Sequence, residues 1–100
     1  MTKLTVKKEK KTVRIISDGH SGFAPAGEDL VCAGISAIVL MLAGFAAAGN
    51  GELIAMRSGY FEMTMPKNKH TELITDALKI TAQSMEMKYG NYVRFSFEGV

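Results

Sequence analysis

The chain has 100 residues, of which 47% are hydrophobic, so it can bury one compact core and has no room for a second. Twelve Lys and Arg against ten Asp and Glu give a net charge of +2, too little by itself to argue for a nucleic-acid partner. The single cysteine cannot form an internal disulfide, and residues 1–11 lack the apolar core of a secretory signal. We therefore expect one domain over residues 1–100, located in the cytoplasm.

The N-terminal segment predicts a β-hairpin. Leu4 and Val6 alternate with polar residues, and after a lysine-rich turn Val13 and Ile15 do the same. A solvated hairpin is favoured over an RNA-binding surface, because this run lacks the interleaved aromatic residues that stack on bases. Half of the positive charge of the chain lies here, at Lys3, Lys7, Lys8, Lys10, Lys11 and Arg14.

A loop and an apolar helix follow the hairpin. Residues 18–28 contain three glycines and a proline, which is typical of a mobile, turn-rich loop. Asp29 is a good N-cap for a helix over Leu30–Ala48, and Gly-Asn-Gly at 49–51 provides the C-terminal stop. These nineteen uncharged residues approach the roughly 20 needed to span a bilayer. A buried helix of a soluble domain is favoured, because eight of them are Ala or Gly and the flanks are acidic.

The second half of the chain predicts a hairpin, a second helix and a last strand. Residues 53–57 and 60–65 have strand character and are joined by the two-residue turn Ser58-Gly59, and a helix capped by Asn68 runs to about Lys88. Residues 93–97 alternate again as a strand. The order β-β-α-β-β-α-β predicts a single-domain α/β sandwich with two helices on a small sheet. Apolar or small residues recur along the second helix at Ile74, Ala77, Leu78, Thr81 and Met85.

Cys32 and His20 are the two residues whose positions suggest chemistry. Cys32 lies in the first turn of the predicted helix, where free backbone N–H groups and the positive end of the helix dipole stabilise a thiolate. His20 ends the second strand at the mouth of the loop that leads to Cys32, so its imidazole can reach the thiol as general base and acid. Position alone leaves two interpretations open, a catalytic dyad and a lone buried cysteine.

Asp29 and Ser36 share the helix face of Cys32, three residues before it and four after it. Capping is the expected role of Asp29, and orienting His20 is a competing role for the same oxygens. His70 begins the polar second helix and is expected to be a solvated surface residue. No His-Glu-x-x-His or Cys-x-x-Cys pairing and no phosphate-binding glycine loop is found, so we expect neither metal nor cofactor.

Two motifs closely resemble the signature of the ribosomal-processing cysteine protease (Prp) family. They are Gly-His-Ser-Gly-Phe-Ala at 19–24 and Gly-Glu-Asp-Leu-Val-Cys-Ala-Gly-Ile-Ser-Ala at 27–37. The family pattern has the form G-H-A-G-[YF]-A, a short loop, then G-x-D-I-V-C-A-A-V-S-A. Ser21 and Gly34 stand where the family usually has Ala, and neither change removes a reacting group.

The resemblance implies that Cys32 is the nucleophile, His20 its catalytic partner, and Asp29 and Ser36 supporting residues. Family members are homodimers that remove a short apolar and aromatic N-terminal extension from a ribosomal large-subunit protein, and phage relatives act on capsid or scaffold proteins. A protein substrate and a homodimer are therefore expected here, with no direct nucleic-acid role and no membrane. The resemblance also implies a substrate-binding loop that contains Gly22, Phe23 and Gly27.

One alternative function stays open at this point. The chain could be a noncatalytic ribosome- or RNA-associated module, with the N-terminal lysines on phosphates and Cys32 as core packing. Binding of that kind weakens steeply with salt and survives loss of the thiol, which separates it from a protease.

Overall fold

The computed structural model describes residues 1–25 and 27–99, and within these it has five strands and two long helices in the predicted order. Ala26, in the predicted loop, and Val100, at the end of the predicted domain, lie outside the described residues. The α/β sandwich expected from the sequence is confirmed. The elements are β1 (Thr2–Lys8), β2 (Thr12–Asp18), α1 (Leu30–Phe45), β3 (Glu52–Arg57), β4 (Tyr60–Pro66), α2 (Lys69–Tyr89) and β5 (Val93–Glu98).

The strands form one mixed sheet in the order β3-β4-β2-β1-β5. The two predicted hairpins, β1–β2 and β3–β4, are antiparallel, and β2 and β4 join them side by side. β5 returns to run parallel to β1, with Thr2 opposite Val93, which requires α2 as the crossover. As a result the start of β1, the end of β2 and the β3–β4 turn meet at one end of the sheet.

One face of the sheet carries the core, and both helices cover it. Side chains alternate along the strands, so every second residue of β1, β2 and β4 is buried and the others face solvent. The buried members on the sheet are Leu4, Val6, Val13, Ile15, Phe61, Met63, Met65 and Val93. The opposite sheet face is open and polar, which makes the domain two layers thick.

Helix α1 begins as predicted and ends differently. The carboxylate of Asp29 accepts a hydrogen bond from the N–H of Cys32, which caps the helix. Beyond Phe45 the backbone widens into a π-helical segment, Ala46–Asn50, and Gly49 turns the chain at φ +98°. The glycine stop is confirmed, since few residues other than glycine adopt this conformation.

Helix α1 is buried on one face only. Val31, Ile35, Val39 and Leu42 pack into the core. The segment Leu30–Asn50 has the length and composition of a membrane span, and 28% of its most apolar window is buried. An apolar outer surface therefore remains on the helix, at Leu30, Leu40 and Met41 among others.

Helix α2 has the predicted cap but a different buried stripe. Asn68 accepts from the N–H of Thr71, and the Thr71 hydroxyl accepts from the N–H of Asn68, which forms a capping box. Of the predicted residues, Leu78 is buried and Ile74 and Met85 pack against the core, whereas Ala77 and Thr81 are exposed. The other buried residues of the helix are Thr71, Thr75 and Ala82. The apolar pattern was misleading because threonine can be buried once its hydroxyl is satisfied, as that of Thr75 is by the Thr71 carbonyl at 2.8 Å.

Candidate active site

Gly19 fixes the end of β2 at the meeting point of the strand ends. Its N–H donates to the carbonyl of Gly59 at 2.8 Å, and its carbonyl accepts from the Thr2 hydroxyl at 3.4 Å. The backbone has φ +99°, and a Cβ on Gly19 would lie 2.4 Å from the carbonyl oxygen of Met1. Only glycine fits there without moving the backbone, so the next residue, His20, leaves the sheet in a defined direction.

The imidazole of His20 lies against the β3–β4 turn. A Cβ on Gly59 would be 2.7 Å from His20 Nε2, closer than real Cβ contacts, and 3.1 Å from its Cε1, which is tight. Gly59 also has φ +74°, as a two-residue hairpin turn requires. The turn glycine therefore leaves the space that the histidine ring occupies.

Cys32 is held in the first turn of α1. Asp29 Oδ1 accepts its N–H at 2.8 Å, and the carbonyl of Asp29 accepts the next N–H, that of Ala33, at 3.0 Å. The cysteine is free and partly exposed, so its thiol is available to solvent and ligands.

His20 and Cys32 line one cavity of about 380 Å³ at this end of the sheet. Ser36, one turn after Cys32, lines it too. The cavity does not include Asp29, which lies behind Cys32, or the predicted loop residues Gly22, Phe23 and Gly27. The other lining residues are Thr2, Ser17, Gly19, Ile35, Val39, Leu40, Met56, Arg57, Ser58, Gly59, Tyr60 and Phe61.

The carboxylate of Asp29 accepts hydrogen bonds from the loop that precedes α1 and none from the imidazole of His20 among the described residues. Its Oδ2 accepts from the Ser21 hydroxyl and from the N–H groups of Phe23 at 3.0 Å and Ala24 at 3.3 Å. Burial raises the pKa of Asp29, but the hydrogen bonds from Ser21 and the backbone outweigh it, and the pKa lies below its ordinary value of 3.8. Among the described residues no hydrogen bond joins His20 to Asp29, whose two oxygens serve the helix cap and the loop.

Phe23 closes the loop against the end of α2. Its ring meets the rings of Tyr89 and Tyr92 edge to face, with centroids 5.7 and 5.1 Å apart. Phe23 is still 37% exposed, so the ring is only partly covered by these contacts. Phe23 is not in the lining of the cavity of Cys32, and the substrate-binding loop that the resemblance implies stays a prediction.

Sequence reasoning missed the wall formed by the β3–β4 hairpin. This wall of the cavity contains Met56, Arg57 and Tyr60. The guanidinium of Arg57 lies 4.4 Å from the centre of the Tyr60 ring. The Tyr60 hydroxyl donates to Glu62 at 2.6 Å, a bond that raises the pKa of Tyr60 and lowers that of Glu62. The turn itself was predicted, but no local signal shows that it faces His20, because β2–β4 pairing is long-range.

The fold and this cavity define a class of protein. A thiol at a helix start that shares one cavity with an imidazole is the arrangement of thiol-dependent hydrolases. Comparison with known proteins agrees with this class. A family model described as Cysteine protease Prp matches residues 1–94 of the chain. The chain therefore belongs to the Prp family, and it is a cysteine protease.

Individual relatives agree over nearly the whole length. The ribosomal processing cysteine protease Prp of Staphylococcus aureus (strain NCTC 8325 / PS 47) is 26% identical over 101 residues, 95% of each chain. That of Bacillus subtilis (strain 168) is 29% identical over 89 residues, 76% of this chain and 77% of the relative. A crystal structure of the essential S. aureus protease with a covalently linked product peptide superposes with a TM-score of 0.81 at 21% identity. It covers 98% of this chain and 100% of that one.

Proposed function

We propose that the chain is an endopeptidase that removes a short N-terminal extension from a ribosomal large-subunit protein. Cys32 is the nucleophile and His20 the general base and acid. The observation that carries this proposal is that both side chains line one cavity, although they come from different elements. Membership in a protease family sets aside the noncatalytic module that the sequence left open.

The reaction proceeds through a thioester. Cys32 Sγ attacks the scissile carbonyl carbon, and its proton passes to His20. The C–N bond breaks when His20 returns that proton to the leaving amine. Water, deprotonated by His20, then attacks the thioester, which releases the new carboxylate and restores the thiol.

The oxyanion of the tetrahedral intermediate needs donors near Cys32. The N–H of Cys32 is bound to Asp29 and is not free for this purpose. The N–H groups of Leu30 and Val31 precede the first intrahelical bond, which runs from Ala33 to Asp29. We assign the oxyanion to this end of the helix, where the dipole adds to the stabilisation.

The cavity walls support an apolar peptide as substrate. The apolar lining of the cavity comes from α1 and from the sheet. Helix α1 contributes Ile35, Val39 and Leu40, and the sheet contributes Met56 and Phe61. Burying one such side chain of a peptide contributes about 1.5–3 kcal/mol. Relatives named ribosomal processing proteases, one of them solved with a substrate peptide, favour a ribosomal precursor. A phage capsid or scaffold protein is the second candidate substrate, on the family resemblance alone.

The test is incubation of the purified protein with an N-terminally extended ribosomal large-subunit protein and, separately, with a phage capsid precursor. Intact mass then shows whether one peptide bond near the N-terminus is cut. His20→Ala should abolish the cut, whereas His70→Ala is the matched control, because His70 is exposed in α2 and away from the cavity. Equal activity of both variants would remove His20 from the mechanism.

We further propose that residues 1–100 act as one catalytic domain, that the active form is a homodimer, and that it works in the cytoplasm. A single buried cluster, to which both helices and β1, β2, β4 and β5 contribute, supports the one-domain assignment. The dimer is supported by the family resemblance and by the apolar surface left on α1.

A further inference from the structure

A second concavity of about 410 Å³ lies at the other end of the sheet. β1 begins at Thr2, in the wall of the catalytic cavity, and ends at Lys8, in the wall of the second one. Seven residues of strand separate the two sites by about 20 Å. The second concavity is lined by Lys8, Val13, Lys67, Asn68, Lys69, Thr71, Glu72 and Thr75.

Lysines from two distant segments converge on this end. The N–H of Lys67 donates to the carbonyl of Lys11 at 3.1 Å, and Pro66 lies opposite Thr12 in the β2–β4 pairing. The β1–β2 turn therefore lies beside the start of α2. We call the resulting group the lysine pole, which consists of Lys8, Lys10, Lys11, Lys67 and Lys69.

No lysine of the pole forms a salt bridge within the part of the chain that the structure describes. The two salt bridges found among the described residues both belong to Arg14, which binds Glu9 and Glu62. Glu9, in the same turn, is thus directed to Arg14, and Glu72 is the acidic residue of the concavity. The other 95 residues carry seven Lys and Arg against ten Asp and Glu, so positive charge is concentrated at one end of the molecule.

We propose that the lysine pole binds the phosphate backbone of RNA. No Phe, Tyr or Trp occurs in 8–12 or 66–72, and the imidazole of His70 is a single exposed ring, so neither a base-stacking platform nor an aromatic membrane anchor is available. Val13 is the apolar side chain in the lining and is 2% exposed, which leaves no apolar centre for a protein interface. Clustered ammonium groups around a concavity instead suit closely spaced phosphates, recognised without regard to sequence.

The location of the lysine pole suits a protease that acts on a ribosomal protein, and this step rests on the proposed function. A ribosomal precursor is surrounded by ribosomal RNA, and the pole can hold that RNA while the cavity of Cys32, about 20 Å away, stays open. The resemblance implied no direct nucleic-acid role, and the RNA-binding surface weighed from the sequence was the N-terminal hairpin. The fold places Lys67 and Lys69 beside the hairpin lysines, and this larger cluster is the reason to propose an RNA-binding role.

Fluorescence anisotropy with a labelled oligouridine of about 20 nucleotides tests the proposal. The wild type should bind, and affinity should fall with salt at a logarithmic slope of about −2 to −3, as three or four phosphate contacts predict. The triple variant Lys10→Gln, Lys67→Gln, Lys69→Gln should lose about tenfold or more in affinity. Lys3→Gln, Lys79→Gln, Lys88→Gln is the matched control, with the same loss of charge outside the pole and less than about a twofold effect.

Three results would overturn the proposal. They are an absence of RNA binding by the wild type, an equal loss in both triple variants, and lysine-dependent binding to phosphatidylserine vesicles in place of RNA. Cleavage of a short peptide, measured in parallel, should be the same in all three proteins. A wild type that binds RNA through the pole but cuts no peptide would contradict the protease mechanism and leave the RNA site standing.

Discussion

A thiol at a helix start is chemically different from a hydroxyl there, and this difference gives a direct test of Cys32. Cys32→Ser should lower kcat/KM about a thousandfold or more, because a serine hydroxyl is far less acidic and less nucleophilic than a cysteine thiol. The fold should survive the nearly isosteric change. Precursor cleavage followed by mass, together with thermal unfolding and peptide binding, measures these effects. Cleavage at the wild-type rate would show that another group is the nucleophile.

Ser21 has a role that its departure from the family pattern did not reveal. Its hydroxyl binds Asp29 Oδ2, so Ser21→Ala should raise the pKa of Asp29 toward 3.8. Because the folded-state pKa is lowered, the stabilisation is present above pH 3.8 and is lost as pH falls through the folded value. Ser21→Ala should therefore be less stable than wild type at neutral pH, and this gap should close in acid.

Carboxyl NMR titration of Asp29 and unfolding as a function of pH measure both effects. Ser36→Ala is the control, because Ser36 is exposed and lies about two helical turns after Asp29. An Asp29 titration unchanged by Ser21→Ala would mean that the backbone N–H groups alone hold the carboxylate ionised.

At the scale of residues, the sequence predicted the cap Asp29 and the positions of His20 at a strand end and Cys32 at a helix start, since each depends on local pattern. The catalytic roles of His20 and Cys32 stay a proposal. The sequence could not assign the two oxygens of Asp29. One serves the helix and the other serves Ser21 and the loop amides, and this division depends on how the loop folds back. The proposed role in orienting His20 gains no support from these contacts.

Among the elements, the β3–β4 turn offers a sharp test because Gly59 makes room for His20. In Gly59→Ala the new methyl group would meet His20 Nε2 at 2.7 Å, so the imidazole must move and kcat/KM should fall about tenfold or more. Gly49→Ala is the matched control, since Gly49 also has a positive φ but has no atom within 4 Å of a new Cβ.

Both variants carry a similar backbone cost of about 1 kcal/mol, so their melting temperatures should fall together. Peptide cleavage and thermal unfolding measured on both separate the two effects. Equal activity of Gly59→Ala and Gly49→Ala would show that the position of the imidazole against the turn does not matter for the reaction.

The loop of residues 21–28 is expected to exchange its amide hydrogens quickly without substrate and slowly with it. Gly22 and Gly27, both at positive φ, permit the movement, and Phe23 is the apolar contact that a peptide can capture. Hydrogen exchange of Cys32→Ser with and without a substrate peptide measures this. Equally slow exchange in both states would refute the closure, and Phe23→Ala should weaken protection in the bound state.

For the whole molecule, the sequence predicted the layers but not the order of strands. Both hairpins have local turn signals, whereas the β1–β5 and β2–β4 pairings join residues far apart in the chain. These distant pairings bring the β3–β4 turn to His20 and Lys67 to Lys11. The parts of both sites that sequence reasoning missed are therefore the parts that depend on long-range pairing.

The proposed homodimer belongs to the same scale and has a physical basis in the uncovered apolar surface. Met41 on α1 is 53% exposed and Leu53 on β3, an edge strand, is 45% exposed, and neither lines the catalytic cavity. A monomer of this size rarely leaves such a surface in water, so a second copy should cover it. The wild type at micromolar concentration should have twice the 10.8 kDa mass of one chain.

Met41→Glu should shift the protein to the monomer, because a carboxylate buried in an apolar interface costs several kcal/mol. Ile80→Glu places the same charge on the outer face of α2, where the side chain is 67% exposed, and should leave the dimer intact. Light scattering and sedimentation measure both masses. Met41 is not in the lining of the catalytic cavity, so an activity change in Met41→Glu would report the dimer and not the site. A monomeric wild type would refute the dimer, and dissociation by Ile80→Glu alone would move the interface to α2.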